Sequence, residues 1–337
     1  MNSMSSLHPQ IEAVRKAQAA AGLRPIEALT PADARAQMQE TARSRKAEPL
    51  PVGRVQERAI PGPGGPIRLR FYWPKEADAG NPVPAIVYYH GGGHVIGSLD
   101  THDFIARNLC AGARALVASV DYRMGPEHKF PAAVDDSFAA LEWVHANAGG
   151  LGADPDRFGV HGDSAGANLA AVASLLARED GGPMPVLQLL IYPVVQLGDR
   201  ERRSYRLFGA GFYLTTGEMD WYDANYLPDP EQARDWRASP LLADDLSGLP
   251  AAVVAIAGFD PLRDEGEEFA RRLADAGVAV DVRRVPGLPH GFASAANAGR
   301  APRAAMRDLA AALSAALARA HPGDAGEGFD LPLDERG

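Results

Sequence analysis

At 337 residues the chain is long for one small module, short for three domains, and large enough to bury most of its apolar surface without disulfide or metal staples. A hydrophobic content of 46% and a charged content of 23% are those of an ordinary globular protein. The net charge of −9 excludes the basic footprint of a phosphate-backbone binder, so no nucleic-acid partner is expected.

Met1–Gln10 carries no charged segment followed by an apolar run, so no secretory leader is expected. No apolar run reaches the roughly eighteen residues of a membrane span. From about Ile11 to Arg45 an Ala-, Gln- and Arg-rich stretch predicts two short amphipathic helices, the second opening at Thr30-Pro31. Val52–Ile60 and Ile67–Trp73, separated by a Pro- and Gly-rich turn, predict an antiparallel strand pair. Short continuous apolar runs then predict buried strands at Ala85–Tyr89, Ala115–Val120, Phe158–His161, Leu187–Tyr192 and Ala251–Ala257. Helical patterns fall between them at Thr101–Ala111, Pro131–Ala146, Ser164–Arg178 and Glu265–Ala276. A last strand, Ala279–Val285, precedes the Ala-rich helix Pro302–Ala320. Strands alternating with helices imply an α/β fold, a mostly parallel sheet with helices on both faces. Leu197–Asp245 breaks the alternation and is rich in aromatic residues, among them Tyr205, Phe212, Tyr213, Tyr222 and Trp236. An insertion of that length is expected to be functional, as a lid or cap. Cys110 is the only cysteine, which excludes an intramolecular disulfide framework and a thiolate-rich zinc site. A cytoplasmic enzyme or binding protein that requires no cofactor is the expectation.

Gly162-Asp163-Ser164-Ala165-Gly166 is a G-x-S-x-G run between the strand Phe158–His161 and a helix opening at Ala165. So sharp a strand-to-helix turn needs glycine on both sides if Ser164 is to project its hydroxyl. The Ala165 amide, at the helix N-terminus, then faces any negative charge forming beside that serine. The pentapeptide alone is common, and an incidental turn is the competing reading; the flanking strand and helix argue against it. His90-Gly91-Gly92-Gly93 follows the strand Ala85–Tyr89. Three glycines let backbone amides converge on one ligand atom, the second half of an oxyanion hole, whereas a phosphate loop would continue into Lys and Ser or Thr. His90 and His94 stand four apart, but the glycines between them do not build the helix of a zinc pair, so no metal is expected.

A base and its orienting acid should follow in the order Ser, acid, His. Of the nine histidines, His290 alone follows a strand downstream of both Ser164 and a suitably placed Asp. That Asp is Asp260, directly after Ala251–Ala257 in Gly258-Phe259-Asp260-Pro261-Leu262. Both fall at the carboxyl ends of parallel strands, the edge where open α/β sheets keep their sites. Asp260 also reads as a helix N-cap before Pro261, and Asp264 is the reserve acid.

These motifs join others in one pattern: VIGSLDTHD at Val95–Asp103, DYRMGPEHKFPAAVDD at Asp121–Asp136, GDSAGANLA at Gly162–Ala170, GFDPLRDEG at Gly258–Gly266 and PHGF at Pro289–Phe292. From about Val52 to Leu317 the chain resembles the bacterial hormone-sensitive-lipase-like carboxylesterases of the α/β-hydrolase superfamily, in the GDSAG subgroup. The resemblance implies an α/β-hydrolase fold with Ser164, Asp260 and His290 as catalytic triad and with Gly91, Gly92 and Ala165 as oxyanion donors. It also implies N-terminal cap helices over residues 1–45, a catalytic domain over 46–196 and 246–320, and a cap insertion over 197–245. The tail 321–337 holds five acidic residues and four glycines and is expected to be disordered. One departure stands out. His94 occupies a position that is commonly aromatic in the family, and it and Phe212 are expected among the substrate-binding residues. Arg123, Glu127 and His128 read as a structural group bracing the turn beneath the site through a buried ion pair.

The expected activity is hydrolysis of short- to medium-chain acyl esters through an acyl-enzyme, falling off as acid protonates His290. An amidase or arylformamidase-like hydrolase would use the same triad. From a different class, a non-catalytic small-molecule receptor resembles this fold in plants, but there the catalytic His is lost and here His290 is present. The expected partner is a small-molecule ester, with no membrane surface. The last strand is an expected sheet edge, open to pairing or guarded by Asp281, Arg283 and Arg284; the resemblance implies a homodimer through it.

Overall fold

Parallel strands whose two faces are both covered should send alternate side chains into two separate cores, and they do so here. In a computed structural model, which describes residues 22–44, 49–75, 77, 82–296 and 299–319 together with Pro9 and Glu12, eight strands form one sheet. β1 (Arg54–Ile60) and β2 (Ile67–Trp73) form the antiparallel opening pair, Ile60 opposite Ile67, and β2 runs antiparallel to β4 (Leu116–Asp121). From β4 onward the sheet is parallel through β3 (Val83–Tyr89), β5 (Ala153–Asp163), β6 (Leu187–Ile191), β7 (Ala251–Phe259) and β8 (Val280–Pro289). The spatial order is β1-β2-β4-β3-β5-β6-β7-β8. On β3, Val87 and Tyr89 enter one core while Ile86 and Tyr88 enter the other. The helices α2 (Asp103–Ala113) and α8 (Arg300–Arg319) cover the second face through Ile105, Leu109, Leu309 and Leu313. Opposite them lie α3 (Ala132–Ala146), α4 (Ala165–Glu179) and α7 (Arg263–Asp275), packed through Leu141, Leu169, Val172, Phe269 and Leu273.

The chain runs outward from β3 to β4 and then crosses back, so β5 pairs with the other side of β3. That reversal opens a crevice at the carboxyl ends of β3 and β5, where the His90–Gly93 loop and the Ser164 turn emerge. At the far side, β7 and β8 outlast the other strands, and a register shift leaves Phe259 opposite Pro289. The residues that follow, Asp260 and His290, are thereby neighbours. β8 is an outer strand as expected, and its charges pair locally: Arg283 with Asp281 at 2.6 Å, Arg284 with Glu267 at 3.1 Å.

Two segments overlie this edge. The second expected N-terminal helix is present as α1 (Pro31–Ser44); the first lies outside the described residues apart from Glu12, as does the tail 321–337. Between β6 and β7 the insertion folds into α5 (Arg203–Phe208) and α6 (Thr216–Tyr226), followed by single-turn helices at Pro230–Arg234 and Pro240–Leu242. The root of the insertion is fixed by Glu265, fully buried on α7, which accepts the Val195 amide at 2.8 Å and the Tyr205 hydroxyl. Burial pushes the Glu265 carboxyl up to about 7. The expected buried ion pair is supplied by Arg123 and Asp136, 2.8 Å apart with Asp136 buried. Glu127 and His128 depart from that expectation. Both are exposed, and Glu127 instead meets Arg35 of α1 at 2.7 Å. Among the described residues no helix is long and apolar enough to cross a membrane.

Candidate active site

Ser164 stands between β5 and α4 with φ 56° and ψ −119°, a conformation that L-residues avoid. The turn holds because both flanking glycines are sterically required. A Cβ on Gly162 would lie 2.0 Å from the Gly166 carbonyl carbon, and one on Gly166 would lie 1.9 Å from the Tyr89 carbonyl oxygen. Any other residue would force α4 away from the ends of β3 and β5. With glycine there, the serine hydroxyl stands above the sheet at the helix N-terminus, where the positive end of the helix dipole lies.

The hydroxyl of Ser164 is 2.9 Å from His290 Nε2, and His290 Nδ1 is 2.8 Å from Asp260 Oδ2. With Asp260 ionised, Nδ1–H donates to the carboxylate and Nε2 is left to accept the serine proton. Both readings of Asp260 hold at once. Its Oδ1 accepts the Leu262 amide at 2.8 Å, shaping the start of α7, while Oδ2 faces the imidazole. Asp264 turns elsewhere, accepting the Ser204 amide at 2.8 Å and pairing with Arg263. Asp260 is 1% exposed and His290 8%, so the pair operates largely out of water. Tyr192 packs its ring 4.5 Å from the imidazole, fixing the plane of His290 from the side.

Asp163, the residue before the serine, is a second buried organising group. Its Oδ1 accepts the Tyr88 hydroxyl at 2.8 Å and the Gly91 amide at 3.1 Å, and its Oδ2 lies 3.8 Å from His102 Nε2. Burial pushes its carboxyl above the usual range, against the pull of the Tyr88 hydroxyl. This contact corrects the expectation for Gly91. An amide already donating to a buried carboxylate is not free for an oxyanion, and Gly91 does not reach the cavity wall. Gly92 and Gly93 do. Among the described residues no acceptor takes the amide hydrogens of Gly92, Gly93 or Ala165. Gly92 and Gly93 line the cavity together with Ser164, and Ala165 follows the serine at the first position of α4.

His94 is also corrected. It is 1% exposed, has φ 59°, and stacks on Tyr226 at 4.1 Å beneath the loop instead of lining the cavity. Burial pulls its imidazole down to about 3, and that of His90 to about 4, so both are neutral near pH 7. The neutral His90 ring lies 2.8 Å from the Gly91 carbonyl through Nδ1, and the Tyr122 hydroxyl donates to the His90 carbonyl at 2.6 Å. These residues hold the loop shape; they do not present titrating groups to a ligand.

The site opens into a cavity of about 1080 Å³. Its floor is Ser164, His290 and the glycine loop; its walls come from α1 through Met38 and Thr41 and from the insertion through Phe212, Tyr213, Leu214 and Tyr222. Phe212 lines this cavity and packs against Phe208 and Phe259, each at 5.5 Å. The aromatic stretch divides its work: Tyr205 and Tyr226 are buried and pack the insertion onto the core, while Phe212, Tyr213 and Tyr222 face the cavity. Sequence reasoning missed Gly93, Asp163 and Glu218. The third glycine of the run was a signal for the first, and Asp163 occupies a position that the pentapeptide pattern leaves free. Glu218 was visible only as the fourth residue of a capping box. It receives the Thr215 amide on Oε2 at 3.0 Å while also lining the cavity, and burial pushes its carboxyl up to about 7.

Chemically, a serine hydroxyl hydrogen-bonded to an imidazole that a carboxylate orients can add to a carbonyl carbon, and backbone amides at the same turn and loop can hold the resulting oxyanion. A family model described as alpha/beta hydrolase fold matches residues 86–294. The carboxylic ester hydrolase LipN of Mycobacterium tuberculosis is 48% identical over 271 residues, 79% of this chain and 71% of that protein. The carboxylesterase NlhH of the same organism is 44% identical over 263 residues, 75% of this chain and 82% of its own length. The solved structure of a hyperthermophilic esterase from Pyrobaculum calidifontis superposes with a TM-score of 0.86 at 40% identity, covering 92% of this chain and 98% of that one.

Proposed function

This chain belongs to the alpha/beta hydrolase fold family, and from that membership we propose that it is a serine carboxylesterase acting on short- to medium-chain esters. The observation that carries the reading is the unbroken relay from Ser164 Oγ to His290 to Asp260 on the floor of a cavity large enough for a small ester. Ser164 is the nucleophile. As Oγ bonds to the ester carbonyl carbon, its proton passes to His290 Nε2, and Asp260 stabilises the imidazolium it orients. The oxyanion is received by the amides of Gly92, Gly93 and Ala165, each worth about 2.7–4 kcal/mol in comparable hydrolases. Collapse breaks the bond to the alcohol oxygen, which leaves with the proton from His290. Water, deprotonated by the same imidazole, then attacks the acyl-enzyme and releases the carboxylic acid. Helix α1 and the insertion act as a two-part cap. The lone, buried Cys110 fits a cytoplasmic setting, and β8 is the surface through which a homodimer would form.

The test is hydrolysis of p-nitrophenyl butyrate by wild type and Ser164→Ala, with intact-mass analysis after a phosphonate serine trap. Turnover absent from the variant, with one adduct on wild type only, is expected. Equal turnover in both would overturn the assignment. A clean adduct without ester turnover would move the reading to amides or formamides on the same triad.

A further inference from the structure

The cavity wall carries an acidic group that ester hydrolysis itself does not use. Glu218 sits in the first turn of α6 with Oε2 held by the Thr215 amide at 3.0 Å, while the Thr215 hydroxyl accepts the Glu218 amide at 3.1 Å. This capping box fixes the side chain, so the carboxylate is presented to the cavity in one orientation. Among the described residues no Lys or Arg is paired with it. Arg24, at the same cavity, instead donates to the Ala28 carbonyl at 2.7 Å. The same cavity is lined by Tyr222, which interacts electrostatically with Glu218, and by Tyr213, Phe212 and Leu214. A fixed anion in a cavity with aromatic and apolar walls is an arrangement that recognises an organic ammonium ion, by charge and by the ring faces together.

Resting on the esterase reading, we propose that Glu218 is a specificity-determining residue which selects esters bearing a cationic amine or quaternary ammonium group. The cap alone does not require this charge. Glutamine at the same position can also accept the Thr215 amide, though without the charge that favours a carboxylate at a helix N-terminus. The charged groups around it lie on separate elements. Glu27 of the turn Ile26–Ala28 stands against Gly217 at the start of α6, Tyr222 is on the next turn of α6, and His290 lines the same cavity. Arg24 and Glu40 border the same space nearer solvent. Burial and Glu27 raise the Glu218 carboxyl to about 7, against the Thr215 amide and, less strongly, His290. The carboxyl is therefore anionic above that pH and becomes neutral below it, so selection should fade on acidification.

The experiment compares butyrylcholine with its uncharged isostere 3,3-dimethylbutyl butyrate in wild type and Glu218→Gln. The quantity read is the ratio of their kcat/KM values, in which the protonation of His290 cancels because both esters require it. At pH 8 wild type is expected to favour the cation by about tenfold or more, the scale of one partly desolvated cation–aromatic and charge contact. The ratio should fall towards unity by about pH 6 and should be close to unity throughout in Glu218→Gln. A wild-type ratio near unity at pH 8, or a preference that survives in Glu218→Gln, overturns the proposal. Turnover of either ester that disappears in Ser164→Ala supports the esterase reading whatever the ratio, so the two fail separately.

Discussion

The two oxygens of Asp260 face different partners, the Leu262 amide and His290 Nδ1, and this division explains how one carboxylate builds a helix entrance and orients a base. Asparagine could keep the first contact but would offer the imidazole either a donor or a weaker acceptor, favouring the wrong tautomer. Asp260→Asn is therefore expected to lower kcat on p-nitrophenyl butyrate by about a thousand- to ten-thousand-fold, with KM little changed and the fold intact. Asp264→Asn, whose carboxylate serves Ser204 and Arg263, should remain close to wild type in kcat, and steady-state kinetics on the two variants distinguishes the acids. The triad was legible in the sequence because each member follows a strand in a fixed chain order. The proposed oxyanion donors were only partly legible. Gly91, Gly92 and Gly93 are equivalent as letters, and the buried carboxylate of Asp163, which removes Gly91 from the set, reaches it from a different strand.

At the scale of elements, Arg35 ties α1 to the catalytic-edge loops by charged hydrogen bonds. Arg35 donates to the Val95 carbonyl at 2.8 Å and to the Gly125 carbonyl at 2.6 Å, joining the helix to the two loops that follow β3 and β4. Hydrogen bonds from a charged donor to such carbonyls are worth about 1.5–3 kcal/mol each, whereas the exposed pair with Glu127 adds at most about 1 kcal/mol. Arg35→Ala is accordingly expected to raise KM several-fold while kcat stays near wild type, because α1 walls the cavity but touches none of the reacting atoms. Glu127→Gln should do little, and the same kinetic comparison checks both. Most strands and helices of the core were located by continuous apolar runs and glycine punctuation, although β5 begins five residues before the expected Phe158. Their elongations were not. β7 and β8 continue past the expected limits of Ala257 and Val285, and it is the Phe259–Pro289 pairing in that continuation that brings Asp260 and His290 together.

Over the whole molecule, α1 and the insertion wall off the carboxyl edge of the sheet, and that enclosure is expected to limit substrate size. A cavity of about 1080 Å³ with Met38, Phe212 and Leu214 in its walls accommodates a short acyl chain and a modest alcohol together. Across p-nitrophenyl esters of increasing acyl length, kcat/KM is expected to peak at about four to eight carbons and fall steeply at longer chains; a maximum at long chains would show that the cap opens far wider than the cavity seen here. The sequence by itself determined the parallel sheet, the strained serine turn, the order of the triad and the existence of an aromatic insertion. Each of these is written in local chemistry: apolar runs, obligatory glycines, and residues placed directly after strands. Only the tertiary structure decided that His94 is buried beneath the loop, that Gly91 is already bonded, and that Glu218 faces the substrate cavity as well as capping α6. Burial and hydrogen-bond partners arise from residues far apart in the chain, and whether a polar side chain meets solvent, a carboxylate or a ligand is settled only when those segments pack.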